Sequence, residues 1–520
     1  MIGNKNQQIN FTDIENWCNK PIIAPESIYG LLAHWGERLI RDEDFEKIYS
    51  HTGRPSVSPA LLAKVLLLMY HDNVSDREAE ERAKYDLRWK AALGLSIQET
   101  GFDYTALSRF RCRLLVNHKQ KLVFERFLRL AVEAGIVKEK GTQIIDSTNI
   151  LGAGAVKDTY NLIKTAIQKL LKVTKKRGTA NKHIFEGLSL TLTYDKNGKE
   201  PINWEDHQAR EGLLNQLVQD AKTLINAAES LELTEEEQAA VEILTVVSNQ
   251  DTEETEDGHV KFKQGVAPNR VISVQDPEMR HGHKTSTGKF NGHKAQIISD
   301  EKSEIITNVA VTSGNGNDGQ TVKELITESI VKPSILLGDT AYGALTVRKD
   351  LEETGVNLVA PLNTGPKKPD RFSKYDFEID FESQTCYCPA GETTNKTYKS
   401  KGKVAAFVFP AQKCNRCALR DQCTKHGKGR IVNINPEEET RRQILKEIST
   451  DEFRQLYRRR PLIERKIAHL VRHGIRKARY IGLAKTGLQV VFTAAAVNLK
   501  RIFALARADL SLFGRLQQAL

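Results

Sequence analysis

The chain has 520 residues, of which 40% are hydrophobic and 28% charged, a balance that is typical of soluble globular proteins and excludes a largely disordered chain. The formal net charge of +11 favours a polyanionic partner, either nucleic acid or a membrane surface. No apolar run approaches the roughly 18 residues that would span a bilayer, and the N-terminus lacks an apolar signal core, so we expect a cytoplasmic protein without membrane contact.

The N-terminal quarter, residues 1–135, is predicted to be helical. Pro59 suits the start of a strongly apolar helix. Ser75 and Glu78 have the spacing of a capping box, in which each side chain satisfies a free backbone N–H at the start of a helix. We expect this second helix to continue to the glycine at position 94, which suits a helix end.

A further helix is predicted to open near Asp103 and to carry Arg109, Arg111 and Arg113. Short helices whose last member is basic resemble a helix-turn-helix reader, and in that case Arg109 and Arg111 contact DNA. A plain helical bundle with a solvated basic face is the alternative.

Two later segments end a β-prone run with a carboxylate. They are Ile144-Ile145-Asp146 and Leu336-Leu337-Gly338-Asp339. Ligand sites in open α/β sheets lie beyond the carboxyl ends of strands, so these two aspartates are expected to face each other across neighbouring strands. Unpaired carboxylates there would repel, and a divalent cation such as Mg²⁺, which prefers oxygen ligands, removes that cost.

The second carboxylate lies in a segment, residues 271–361, where strands and helices alternate, as in a sheet with helices packed on it. The strand candidates are Lys294–Ser299, Ile305–Val311, Ser334–Leu337 and Asn357–Ala360, with a helix from Gln320 to Ile330.

A third carboxylate, Glu464, follows a helix that is predicted to open at the capping box Ser449–Glu452 and to run through Arg460. Pro461 then suits the first turn of a further helix, or kinks the same one. Offsets of three and seven residues place Tyr457, Arg460 and Glu464 on nearly one helical face if Pro461 does not break the helix. A metal ligand beside an arginine and a phenol suits a phosphodiester held against two metal ions. Eleven basic residues surround Glu464, the sole acid between 454 and 485, and would attract DNA phosphates: 454, 458, 459, 460, 465, 466, 472, 476, 477, 479 and 485.

Five of the seven cysteines fall within a short, β-prone stretch. Cys388, Cys414, Cys417 and Cys423 are candidate ligands of one structural Zn²⁺, with Cys386 as a spare. The alternative is a buried thiol cluster. The remaining cysteines are Cys18 and Cys112.

Together these residues resemble the DDE transposases of bacterial insertion sequences, in particular the group with a C-terminal Y-x2-R-x3-E signature. The stretch from Arg54 to Arg111 is similar to that family's N-terminal helical domain. Phe290–Lys294 and Asp339–Gly343 are similar to the strand before the second catalytic aspartate and to the segment that carries it. The chain departs from the signature at Val471, where a lysine is frequent, and Arg472 is the candidate replacement for its phosphate contact.

The resemblance implies an α/β protein with a ribonuclease-H-like catalytic core. The length of 520 residues predicts about two to four domains in all. The predicted parts are a helical DNA-binding domain (1–135), a core in three pieces (140–154, 271–363 and 436–505), a helical insertion (155–270, with a turn at Asp195–Gly198) and a β-rich cysteine-containing insertion (364–435).

The resemblance also implies that Asp146, Asp339 and Glu464 bind Mg²⁺ or Mn²⁺, and that the protein cleaves element ends and transfers their 3′-hydroxyls to target DNA. The implied partners are double-stranded DNA with terminal inverted repeats, target DNA, and further copies of the chain in a dimer or higher assembly. Tyr457, Arg460 and Arg472 join Arg109 and Arg111 as expected DNA contacts. Two alternatives stay open: an inactive DNA-binding relative and a ribonuclease-H-like nuclease without strand transfer.

Overall fold

The computed structural model describes residues 23–520 apart from 51, 53–54, 177–180, 197, 284–287, 366–369 and 401–402. Three residues used above, Cys18, Arg54 and Asn197, therefore lie outside the described residues.

The described elements follow in chain order. The helices are α1 (Ile28–Leu39), α2 (Pro59–Asp72), α3 (Asp76–Tyr85), α4 (Leu87–Leu93), α5 (Tyr104–Val116), α6 (Leu122–Glu133), α7 (Thr159–Thr174), α8 (Lys182–Glu186), α9 (His207–Glu229), α10 (Glu235–Asn249), α11 (Val322–Thr327), α12 (Leu345–Glu352), α13 (Ala411–Asn415), α14 (Arg420–Cys423), α15 (Glu438–Ile448), α16 (Asp451–Tyr457), α17 (Leu462–Arg472), α18 (Leu483–Ala508) and α19 (Leu510–Ala519). The strands are β1 (Thr142–Leu151), β2 (Thr252–Glu254), β3 (Val260–Phe262), β4 (Arg280–His283), β5 (Lys289–Asp300), β6 (Ile306–Ser313), β7 (Ile335–Leu337), β8 (Asn357–Val359), β9 (Glu378–Asp380), β10 (Thr385–Tyr387), β11 (Thr393–Thr394), β12 (Thr397–Ser400), β13 (Lys403–Val408) and β14 (Ile431–Asn433). Short 3-10 helices span Asp42–Ile48, Asp318–Thr321 and Lys374–Asp376.

The N-terminal part is helical, as predicted, although one capping prediction was only half right. The Ser75 hydroxyl accepts the backbone N–H of Glu78 at 3.3 Å, but the Glu78 carboxylate pairs with Arg82 at 2.9 Å instead of returning to the cap. The helix predicted to run from Ser75 to the glycine at 94 is also two helices. Asp86 ends α3 and caps α4 by accepting the N–H of Arg88.

The central sheet combines antiparallel and parallel strands. β5 pairs antiparallel with β1 on one edge, and with β4 and β6 on the other. β1, β7 and β8 are parallel to one another. The parallel half brings the carboxyl ends of β1 and β7 to the same side of the sheet, where a ligand site is expected in such folds.

One hydrophobic core joins the N-terminal helices to one face of this sheet through α18. That helix packs against β6, α2 and α6, and sixteen of its residues are buried. The buried amide of Asn498 fixes it to the sheet, since it accepts the N–H and donates to the carbonyl of Ile306, both at 2.8 Å. The N-terminal helices therefore share a core with the sheet.

Among the described residues, α18 is the one helix that is long and apolar enough to cross a membrane by length and composition. Lys485, Lys500 and Arg501 interrupt its sequence, which is why the apolar run is shorter than the helix. Because 78% of its most apolar window is buried, α18 is accounted for as a core helix.

Both predicted insertions have cores of their own. Residues between Leu162 and Val274, mostly from α7, α9 and α10, form one separate cluster. Five fully buried residues form another in the cysteine-containing stretch: Phe377, Cys386, Phe407, Phe409 and Val432. The first stretch contains α7 to α10 with the short strands β2 and β3, and the second contains β9 to β14 with the short helices α13 and α14.

Candidate active site

The first two candidate carboxylates lie side by side on the parallel half of the sheet. Ile144 pairs with Leu337 in the register of β1 and β7. Continuing that register by two residues sets Asp146 opposite Asp339, which follows the end of β7. The sequence prediction that they face each other across neighbouring strands agrees with this placement.

Asp146 does not end its strand, however, contrary to the prediction. β1 continues five residues further, to Leu151. β7 is too short to pair with this far half, and the segment after α17 takes its place: the Leu151 N–H donates to the Arg476 carbonyl at 2.9 Å, and the Ala478 N–H donates to the Leu151 carbonyl at 2.8 Å. The Arg476 guanidinium also donates to the Thr148 hydroxyl at 2.9 Å. The C-terminal segment thus anchors the strand that carries Asp146.

The third carboxylate comes from a broken helix. α16 begins at the Thr450 cap, one residue later than the predicted box, and ends at Tyr457. Pro461 then caps α17, whose first turn carries Glu464, which agrees with the prediction that Pro461 suits the start of a further helix. The single continuous face, predicted only if Pro461 does not break the helix, is therefore not formed. The turn between the two helices nevertheless keeps Arg460 and Glu464 in contact.

One guanidinium connects all three carboxylates. In Arg460, Nη2 lies 2.6 Å from Asp146 Oδ2 and 3.8 Å from Asp339 Oδ2, while Nη1 lies 3.3 Å from Glu464 Oε1. Asp146 is the most buried of the three acids, with 14% of its side chain exposed, and Glu464 the least, with 63% exposed. Four side chains from three separate parts of the chain therefore meet at one point.

The charges at this point do not balance, because one arginine faces three acids. The pKa of Asp146 is raised to about 6, chiefly by burial and also by the charges of Asp339 and Glu464, against the lowering effects of Arg460 and of the Ser147 N–H. Among the described residues, no group of three or more His, Cys, Asp or Glu side chains is arranged so that it could hold a metal ion. As a donor set, three carboxylates with surplus negative charge do fit a hard divalent cation such as Mg²⁺.

A network on the other face of β1 was missed in the sequence. Asp318 accepts hydrogen bonds from the Ser147 hydroxyl, the Lys294 ammonium and the Gln296 amide, each at 3.0 Å. The Tyr342 hydroxyl donates to the Gln296 carbonyl oxygen at 2.7 Å. The alternation of Lys294 and Gln296 along β5 was the available signal, since residues two apart share a strand face.

The five expected DNA contacts have different surroundings. Tyr457 lies close to the carboxylates, and burial raises the pKa of its phenol. Arg472 and Arg109 are exposed, the latter bonded to the Thr105 hydroxyl at 2.9 Å. The Arg460 guanidinium is paired with the three acids described above.

Arg111 is a correction to the sequence prediction. It is buried, its guanidinium binds both carboxylate oxygens of Asp76, and it lies 4.8 Å from the centre of the Tyr480 ring. A guanidinium closed in this way cannot reach phosphate, so Arg111 joins the N-terminal helices to the C-terminal segment instead.

The basic stretch around Glu464 is also less uniform than its sequence indicates. Arg459 pairs with Glu301 at 3.2 Å, and Arg465 and buried Lys466 both pair with Glu304, at 2.8 and 3.4 Å. In the part of the chain that the structure describes, four exposed cations of this stretch show no ion pair: Arg458, Arg472, Lys477 and Lys485. These four form the remaining basic surface.

The five cysteines of the predicted insertion have two kinds of surroundings. Cys388, Cys414, Cys417 and Cys423 line one cavity, whereas Cys386 is fully buried in the core of the insertion. All described cysteines are free thiols.

Three models of known protein families match segments of this chain. A Transposase DDE domain model matches residues 259–376, a second Transposase DDE domain model matches residues 387–503, and a Transposase domain (DUF772) model matches residues 24–113. The chain belongs to the insertion-sequence DDE transposases. Neither a curated protein nor a solved structure gave a significant match.

For this transposase, the matched segments contain Asp339, Arg460 and Glu464, while Asp146 lies outside them. The assignment of Asp146 therefore depends on its position beside Asp339 and its contact with Arg460. DDE domains imply a ribonuclease-H-like core, DNA as substrate and a divalent metal ion, and the described chain is mixed α/β.

Proposed function

We propose that this transposase cleaves the ends of its insertion element and transfers the 3′-hydroxyl ends to target DNA, using Asp146, Asp339 and Glu464 as ligands of Mg²⁺ or Mn²⁺. The observation that carries the proposal is the meeting of these three carboxylates on the Arg460 guanidinium. In a purely structural ion pair, one carboxylate is enough to neutralise one arginine. Three acids leave charge for further cations.

Each residue has a part in the proposed reaction. Bound divalent ions would activate the attacking water or 3′-hydroxyl and stabilise the leaving oxygen. Asp146, on the paired strand β1, and Asp339, directly after β7, provide fixed ligands. Glu464 lies in the first turn of a separate helix, α17, and is more exposed than the two aspartates. It therefore closes the site from the solvent side. When DNA binds, the Arg460 guanidinium releases carboxylate oxygens and contacts a phosphate group of the DNA instead. A guanidinium can bind a phosphate group bidentately.

The remaining basic surface guides the DNA backbone to this point. Arg472 occupies the position for which the sequence predicted a phosphate contact, and the Tyr457 phenol lies at the edge of the carboxylates. Arg109 is the exposed arginine of α5 and offers a second, separate contact. These contacts recognise phosphate rather than base edges, so they position the DNA without specifying its sequence.

The setting of this reaction follows from its substrates. We place the transposase in the bacterial cytoplasm, on the nucleoid when it is bound to DNA. Because two element ends with inverted repeats must be joined to one target, we expect a dimer or higher assembly on the DNA.

The test is a reaction of the purified full chain with labelled DNA carrying the gene's own flanking ends, in the presence of Mg²⁺. Asp146→Asn and Glu464→Gln are compared with the wild type, and Glu452→Gln, an exposed acid on α16, is the matched control. Cleavage and end joining that are lost in the first two variants and kept in the control would support the proposal.

Two other outcomes would replace it. Cleavage without joining, lost in the same variants, would indicate a ribonuclease-H-like nuclease. Binding without cleavage in a folded wild-type preparation would indicate an inactive relative that only binds DNA.

A further inference from the structure

The cysteine-containing insertion has a small apolar core. Its two three-stranded sheets, β11-β10-β9 and β12-β13-β14, enclose the five buried residues named above. Units of about 70 residues with so small a core usually need disulfides or a structural metal. The described cysteines are free thiols, so of these two kinds of cross-link a structural metal is the candidate.

Four thiols line the place where such a cross-link would act, although no three of them already form a metal-binding group among the described residues. Cys388, Cys414, Cys417 and Cys423 come from three separate parts of the insertion and line one cavity of about 30 Å³. A space of that size holds about one water molecule. The cavity therefore has room for a single ion.

The local backbone presents these thiols as metal-binding turns do. Cys388 begins a tight turn in which the Gly391 N–H donates to the Cys388 carbonyl at 2.9 Å, with Gly391 at φ 81°. Cys414 and Cys417 share a second turn, closed by a 3.3 Å hydrogen bond from the Cys417 N–H to the Cys414 carbonyl. The two-residue gap of this pair is a common spacing in four-cysteine zinc sites.

The fifth cysteine of the insertion is excluded as a ligand. Cys386 is fully buried in the hydrophobic cluster and does not line the cavity. Four candidate ligands remain, which is the number that a closed structural zinc site takes.

The charges around the cavity also fit. Four thiolates and one Zn²⁺ carry a net charge of −2, which is costly to bury unless cations lie nearby. Lys413 lines the cavity but is paired with Glu392 at 2.6 Å. Arg420 and Arg430 also line it, and Arg430 donates to the Cys423 carbonyl at 3.0 Å. These two arginines would offset the charge of the complex.

We infer that Cys388, Cys414, Cys417 and Cys423 bind one Zn²⁺ ion, which cross-links the insertion. Each thiol releases its proton to solvent as its sulfur bonds to the metal. No described set of three ligands is already assembled, so the thiols must rotate toward the ion on binding. The site lies outside the carboxylate centre, and its role is to stabilise the insertion.

The first test is metal analysis of the full chain, purified without a histidine tag, by inductively coupled plasma mass spectrometry. We expect about one zinc per chain, the stoichiometry of a single four-thiolate site. The double variant Cys414→Ser/Cys417→Ser should lose the zinc, and Cys112→Ser, which changes an exposed thiol on α5, should keep it. A wild type without zinc, a wild type with iron and sulfide instead, or zinc retained in the double variant would overturn the inference.

A second measurement uses only the wild type, in case the double variant does not fold. Replacement of zinc by Co²⁺ should give the visible bands of tetrahedral cobalt and a sulfur-to-cobalt charge-transfer band in the near ultraviolet. Zinc removal should increase proteolysis within residues 364–435 before it affects the central sheet. Absence of the charge-transfer band would show that thiolates do not bind the metal. Neither readout depends on DNA cleavage, so this inference and the proposed function fail separately.

Discussion

Arg111 in the N-terminal helices and Arg460 at the carboxylate centre are both arginines in basic sequence, yet their surroundings differ in one decisive respect. Arg111 has a single acidic partner, Asp76, and an aromatic ring beside it. Arg460 has three acidic partners at 2.6, 3.3 and 3.8 Å. The first arrangement is neutral and closed, so it holds two parts of the chain together. The second keeps surplus negative charge, so it can take a further cation.

The largest expected effect is the loss of one acid from the charged centre. Asp339→Asn should lower the rate of Mg²⁺-dependent cleavage by roughly 10³-fold or more, because it removes a metal ligand from a site whose groups act as a unit. The thermal midpoint should stay the same or rise, since the change also removes repulsion between carboxylates. Cleavage kinetics and thermal unfolding on the same preparation provide both numbers.

The control for this variant is Asp350→Asn, which changes an exposed acid on the next helix, α12. It should leave cleavage within twofold or so, as surface changes usually do. If Asp339→Asn retained a rate within about tenfold of wild type, the carboxylate centre would lose its proposed role.

The second-largest effect is on the free energy of unfolding and concerns the Arg111–Asp76 ion pair. Arg111→Ala should lower the free energy of unfolding by about 3–5 kcal/mol, because it leaves Asp76 without the cation that neutralises it. Arg109→Ala, on the same helix but exposed, should change it by less than about 0.5 kcal/mol. Urea denaturation of both variants measures the difference. Equal stabilities, with weaker DNA binding by Arg111→Ala, would restore the original sequence interpretation of Arg111.

The contrast between these arginines also shows how far sequence reasoning reached. The two aspartates that follow β-prone runs and the spaced Tyr457–Glu464 signature are local patterns. Together with the family resemblance they pointed to three carboxylates that the structure brings to Arg460. The partner of Arg111 was not predictable, since Asp76 lies 35 residues away and contact depends on how helices pack. The same holds for Asp318, which reaches Ser147 across 171 residues. Contacts that only the tertiary fold creates leave no periodic signal.

The third effect separates metal binding from catalysis. Arg460→Ala should strengthen Mn²⁺ binding by about tenfold, because a cation that competes for the same oxygens is removed, and tenfold corresponds to about 1.4 kcal/mol. Cleavage should nevertheless fall, since the phosphate contact is lost as well. Electron paramagnetic resonance of free Mn²⁺ measures the affinity, and Arg458→Ala, an exposed neighbour, is the control. Weaker Mn²⁺ binding by Arg460→Ala would contradict competition between the arginine and the metal.

The smallest effect concerns the remaining basic surface. Here the loss of DNA affinity should depend on whether the mutated arginine already has an acidic partner in the protein. Arg472→Ala should weaken binding to any DNA sequence by a few-fold and reduce the slope of log K against log salt by about 0.9, the value for one lost phosphate contact. Arg465→Ala should have less effect, because Glu304 already holds that guanidinium at 2.8 Å. Fluorescence anisotropy across a salt series compares the two variants. Equal slopes would mean that Arg465 leaves its acid when DNA binds, so that ion pairs seen in the free protein do not predict which arginines reach the phosphates.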